Sequence, residues 1–145
     1  MIVRAVLVVA ALAIGATAVV AQSDPIATRR AGMKAVGEQN RVATDMIEGK
    51  RPFNAADAKK VLATFNEHAT KLKTMFPDTS RTGDTNALPT IWENKADFEA
   101  KLAKFAADAK DAEGKISSLD NFKTEMADVR KNCGGCHQTY RKRQS

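Results

Sequence analysis

The chain has 145 residues, 43% of them hydrophobic, a formal net charge of +6, two cysteines and two histidines. That length suits one domain, or one domain plus a processed segment, with enough chain for a hydrophobic core that needs no disulfide staples. One Trp, one Tyr and no basic-aromatic motif argue against nucleic acid as a partner.

The first segment, MIVRAVLVVAALAIGATAVVAQ, has one early cation, Arg4, an apolar run from Ala5 to Val20, and a small residue, Ala21, before a polar stretch. This is the layout of a cleaved secretory signal peptide, residues 1–21. The run is short for a membrane span, so no membrane association is expected after cleavage. Removing 21 of the 145 residues leaves 124, residues 22–145, and loss of Arg4 lowers the net charge from +6 to +5. Two free thiols in an exported chain would be exposed to oxidation unless other chemistry consumed them. The basic balance suits a solvated lysine-rich surface, or one that favours an acidic redox partner.

The mature sequence predicts helices throughout, with no run of alternating β-branched residues. The first begins at Asp24-Pro25, a cap followed by proline at the first helical position, and runs to about Glu48. Its stripe is Ile26, Met33, Val36, Ala43 and Ile47, and Gly49 before Pro52 is the stop. The second is capped by Asn54, with Phe53 placed to staple onto the next turn. Its face is Ala58, Val61, Leu62, Phe65, Ala69, Leu72 and Phe76, and Pro77 ends it. Residues 77–90 are turn-rich and predict the one long loop. The third helix runs from Thr90 or Trp92 to Glu113, with Phe98, Leu102, Phe105 and Ala109 inward. The fourth follows ISSLD, with Leu119, Phe122, Met126, Val129, Cys133, Cys136, His137 and Tyr140 on one stripe. Four amphipathic helices joined in this way predict an all-α, antiparallel four-helix bundle.

Cys133-Gly134-Gly135-Cys136-His137 uses both cysteines and one of the two histidines. A dithiol redox site would need the pair at a helix N-terminus in a βαβ setting. Here it falls late in a helix of a chain without strands. A structural zinc site needs four ligands, and Cys136 and His137 point about 100° apart around a helix. C-x-x-C-H is also the attachment motif for one c-type haem. Each thiol would add to a vinyl group, the three-residue step puts both sulfurs on one side of the helix, and His137 would present a nitrogen to the iron. Gly134 and Gly135 cost about 1 kcal/mol each relative to alanine in a helix, which a covalent porphyrin anchor offsets, and their missing side chains leave room at its edge.

Only eight residues follow His137, none of them Met or His, so a sixth ligand has to come from upstream. The candidates are Met33, Met46, Met75, Met126 and His68. Met126 is on the same helix as His137, roughly 16 Å away along the axis, too far for a trans ligand. Met75 suits a core gap-filler and His68 a flank position. Met46 is near the end of the first helix and Met33 in its middle, on the core stripe.

Four landmarks resemble the class II cytochromes c, the cytochrome c prime family: RRAGM in the first helix, EGKRPF at the first turn, LPTIW entering the third helix, and the terminal CGGCHQTYRKR. The last is the most specific, and the resemblance covers the whole mature chain. It implies a four-helix bundle with one covalent haem c, bound through Cys133 and Cys136 with His137 as the proximal axial ligand. The family has a high-spin form with an open distal face and a low-spin form in which a helix-one methionine fills that face. By resemblance Met33 is the distal residue, so the low-spin form is implied. Arg29 resembles an arginine found near the haem propionates, and Arg141 one on the proximal side. Trp92 and Tyr140 are implied pocket or core aromatics.

The expected function is therefore a periplasmic electron carrier serving redox partner proteins, as a monomer or a homodimer, and not an enzyme. The alternative is a five-coordinate module binding small gases such as nitric oxide or carbon monoxide. A haem-free bundle with a disulfide is a third reading.

Overall fold

The computed structural model describes residues 24–143. The signal peptide expected at residues 1–21 lies outside them. Five helices follow in order: α1 Pro25–Ile47, α2 Ala55–Leu72, a short α3 Thr90–Glu93, α4 Lys95–Lys115 and α5 Leu119–Tyr140. The four long ones form the expected bundle. α2 packs on α1 and α4, and α5 on α4 and, more sparingly, α1.

The helix starts obey local chemistry. The Asp24 carboxylate accepts from Ile26 N at 2.8 Å, with Pro25 next to it. Asn54 Oδ1 accepts from Asp57 N at 3.0 Å, and Ser118 Oγ from Asn121 N at 3.2 Å. Each side chain satisfies an amide that has no partner inside the helix. Gly49 has φ +74°, the left-handed conformation that stops α1 where expected.

Three boundaries differ from expectation. The second helix stops at Leu72 rather than continuing to Phe76. Thr74 N and Met75 N bond three residues back, to Lys71 O and Leu72 O, which tightens the chain into turns. Pro77 also disfavours helical backbone at Phe76. The third helix is two, because the chain breaks at Asn94, with φ −121° and ψ 48°. α4 then runs through Gly114 to Lys115 instead of ending at Glu113. Phe53 also packs across the bundle: its ring centroid lies 6.1 Å from that of Phe122.

The α1 stripe also differs in detail. Arg29, Gly32, Val36, Ala43 and Met46 are its buried positions, while Ile26, Met33 and Ile47 are half-buried. An arginine holds a core position because its polar head is satisfied there.

The core is in two parts. The larger includes Val36, Met46, Leu62, Phe65, Phe105, Phe122, Met126 and Val129. The smaller is Leu72, Ile91, Trp92, Phe98, Leu102 and Tyr140, with Met33, Phe76, Ala87 and Cys136 against it. A cavity of about 540 Å³ touches both, with Val36 and Phe65 of the first and Leu72, Phe98, Leu102 and Tyr140 of the second in its walls.

Candidate functional site

The cavity collects the side chains that the motif singled out. Cys133, Cys136 and His137 reach it from α5, Met33 from α1, and Arg141 from just beyond α5. Its size falls within the ~300–1,000 Å³ of small-molecule and cofactor sites. Its exposed wall surface is mostly apolar, and Asp84, Thr85 and Asn86 of the long loop also line it. A flat apolar macrocycle with two covalent anchors fits this donor set.

α5 runs unbroken through Gly134 and Gly135. A Cβ at Gly135 would meet nothing within 4 Å, and one at Gly134 only Gln138 Nε2 at 4.0 Å. No neighbouring protein atom therefore requires glycine at either position.

Electrostatics separate the competing chemistries. Burial pushes both thiols above the ordinary cysteine range. A dithiol redox site depends on the opposite, a stabilised thiolate. Among the described residues, no group of three or more His, Cys, Asp or Glu side chains is placed to hold a bare metal ion. Burial, and then the nearby charge of Arg141, lowers the His137 pKa. The neutral imidazole, with a lone pair to donate, is thereby favoured.

Of the five upstream ligand candidates, Met33 alone lines the cavity. Met46 and Met126 are 1% and 0% exposed within the larger core, where they fill space. Met75 sits in the turns after α2. His68 packs on α1, its Nδ1 3.3 Å from where a Gly32 Cβ would stand.

Arg29 lines the cavity but is already engaged. Nη1 donates to Met75 O at 3.2 Å and to Ser80 Oγ at 2.9 Å, and Nη2 to Ser80 O at 3.1 Å and Thr85 Oγ1 at 2.7 Å. The guanidinium also lies 4.8 Å from the Phe76 ring centroid. Its pKa is lowered, chiefly by desolvation. Arg141 is exposed; its backbone N donates to His137 O at 3.3 Å, and the residue bridges Ala87 in an isolated antiparallel pair.

Tyr140 takes the core position expected of it, 3% exposed, and Trp92 likewise, its Nε1 donating to Phe76 O at 3.1 Å. The sequence did not reveal Tyr140's partner: its hydroxyl donates to Asp97 Oδ2 at 2.5 Å. Asp97 lies outside every apolar stripe and carries no motif, so only proximity identifies it. Burial and then this bond push the Tyr140 pKa up to about 12. Tyr140 is the single tyrosine, so alkaline difference absorbance, with Tyr140→Phe as the blank, should show one phenol titrating near 12 rather than near the usual ~10. The folded state keeps its proton where the unfolded state has lost it. The Tyr140 contribution to stability is thus fully present below pH ~10 and declines as pH rises toward 12. A midpoint near 10 would show that the hydroxyl is neither buried nor bonded to Asp97 in solution.

An all-α bundle whose cavity brings C-x-x-C-H together with a thioether from another helix defines a c-type haem protein. The family described as Cytochrome C' matches residues 24–141. Cytochrome c' of Rhodopseudomonas palustris is 40% identical over 133 residues, 91% of this chain and 91% of that protein. Cytochrome c-556 of the same organism is 33% identical over 143 residues, 95% and 96% of the two chains. A solved structure of cytochrome c' from Rhodopseudomonas palustris superposes with a TM-score of 0.82 at 40% identity, covering 86% of this chain and 100% of the other. The chain belongs to the cytochrome c' family, and its cofactor is one covalently attached haem c. No helix among the described residues is long and apolar enough to cross a membrane.

Proposed function

We propose that this protein is an exported, periplasmic electron carrier whose haem is anchored by Cys133 and Cys136 and held axially by His137 and Met33. The observation that carries the reading is the placement of Met33. It is the one candidate thioether in the cavity that also holds the two thiols and His137.

When bound, the haem supplies one-electron redox chemistry. The chain's residues set its conditions. Burial, and then the charge of Arg141, lowers the His137 pKa and favours its neutral form. Met33 would contribute a soft thioether, which would favour the reduced iron and raise the potential. Phe65, Leu72, Phe98 and Leu102 exclude water from the walls. The basic surface favours acidic redox partners.

The visible spectrum tests this reading. The purified ferric protein should be low-spin, and a high-spin ferric spectrum would sink the six-coordinate assignment. The second reading, a five-coordinate gas-binding module, draws support from the identities: 40% to a protein called cytochrome c' against 33% to one called c-556. Rapid carbon monoxide binding to the reduced protein, with no ligand to displace, would favour it.

A further inference from the structure

The long loop is tied to both ligand-bearing helices. On the α1 side, Arg29 makes the four bonds described above, two of them to Ser80 and one to Thr85. Gly83, at φ +119°, lets the loop pass so close to α1 that a Cβ there would stand 3.0 Å from Ile26 Cδ1. On the α5 side, Leu88 N donates to Tyr140 O at 3.0 Å and Lys142 N to Asn86 O at 2.8 Å, flanking the Ala87–Arg141 bridge. Thr90 Oγ1 adds a bond to Thr139 O at 3.0 Å.

Thr85 is the junction. Its hydroxyl oxygen accepts from Arg29 Nη2 and from Ala87 N at 3.1 Å, and its carbonyl accepts from Lys142 Nζ at 3.1 Å. Met33 is one turn after Arg29 on α1, and His137 one turn before Tyr140 on α5. α1 and α5 touch each other far less than α1 touches α2. The loop therefore adds a second tie between two helices that also join directly through Arg130, whose Nε donates to Asn40 Oδ1 at 2.8 Å and whose Nη2 donates to Thr44 Oγ1 at 2.7 Å.

The guanidinium arithmetic points the same way. Each Nη carries two hydrogens, and four acceptors take all four; only Nε–H is left for a haem propionate. The resemblance implied a propionate contact for Arg29; the structure engages its two Nη atoms with Met75, Ser80 and Thr85 and leaves Nε–H for such a contact.

We propose that residues 80–88 form a strap between the two ligand helices, with Arg29 and Thr85 as positioning residues that hold Met33 within reach of the iron and so govern how readily an external ligand displaces it. This rests on the His137/Met33 ligation proposed above. A strapped α1 keeps the thioether close after it leaves the iron, so recapture is fast and competitors bind slowly. A loosened α1 gives them time.

The test is the rate of carbon monoxide binding to the reduced holoprotein. Thr85→Val removes the oxygen shared by Arg29 and Ala87 while keeping the shape, and should speed binding by about tenfold, equivalent to about 1.4 kcal/mol in the barrier. Arg29→Met should do the same, and Thr85→Ser, which restores the hydroxyl, should return the rate to that of the parent. Asn66→Ala is the structural control. It removes the Asn66 Nδ2 bond to Ala106 O, 2.9 Å, between α2 and α4, and should lower the melting temperature without changing the rate. Thr85→Val that melts lower but binds carbon monoxide at the parent rate overturns the strap. A rate and potential that respond to Arg29→Met and not to Thr85→Val overturn it in favour of a direct propionate role. A parent protein already high-spin and fast-binding, with no response to Met33→Ala, overturns the ligation itself, and the strap's effect with it.

Discussion

Met33→Ala converts the ferric spectrum from low-spin to high-spin and accelerates carbon monoxide binding to the reduced protein. The effect is competitive. A distal thioether occupies the position an external ligand needs, so apparent affinity is lowered by the fraction of time the position is free. If Met33 is off the iron in about 1% of molecules, removing it raises apparent affinity about 100-fold. The reduction potential falls in the same variant, because a thioether favours the reduced iron. Met33 is only half-buried, at the edge of the smaller core. Its truncation therefore costs no more than the lower end of the ~2–5 kcal/mol typical of buried methionines, and the bundle survives to be measured. Met33→Leu separates packing from ligation, since it fills the space without a sulfur and should behave as Met33→Ala does. Spectra and rates unchanged in both variants would show that the residue only packs in the cavity.

Replacing both Cys133 and Cys136 by alanine removes covalent haem. On a denaturing gel the double variant should lose haem staining completely, while each single variant keeps one anchor and some stain. Stability should follow. A tethered cofactor experiences an effective concentration in the millimolar range. At about 1,000 times its dissociation constant, a ligand that binds only the folded state stabilises it by about 4.1 kcal/mol. Once the tether is cut and the haem diluted away, that contribution disappears, and thermal unfolding of the double variant should show it. A stained double variant would refute thioether attachment through these residues.

The basis for these expectations was unevenly distributed between sequence and structure. Helix type and starts are local properties. Asp24-Pro25, Asn54 and Ser118 each meet a nearby amide, and the α2 face from Ala58 to Leu72 is buried residue for residue. Helix ends were less legible. α2 stops early where Met75 O turns to meet Arg29, a residue 46 positions away, and no pattern inside α2 announces that. Arg29 itself reads from sequence as a surface or cofactor charge. The approach of Met75 O, Ser80 and Thr85 makes its buried position tolerable, because a buried guanidinium needs partners for its donors.

By itself the sequence determined the four-helix architecture, the attachment motif and the side from which a sixth ligand must come. Periodicity, capping and spacing along one helix are short-range properties that a single chain displays openly. Tertiary structure decided which of Met33, Met46, Met75, Met126 and His68 shares a cavity with His137, and that the loop ties α1 to α5. Both depend on where separate helices come to rest, which is set by packing across the core and by hydrogen bonds between residues more than fifty positions apart, such as Arg29 and Thr85.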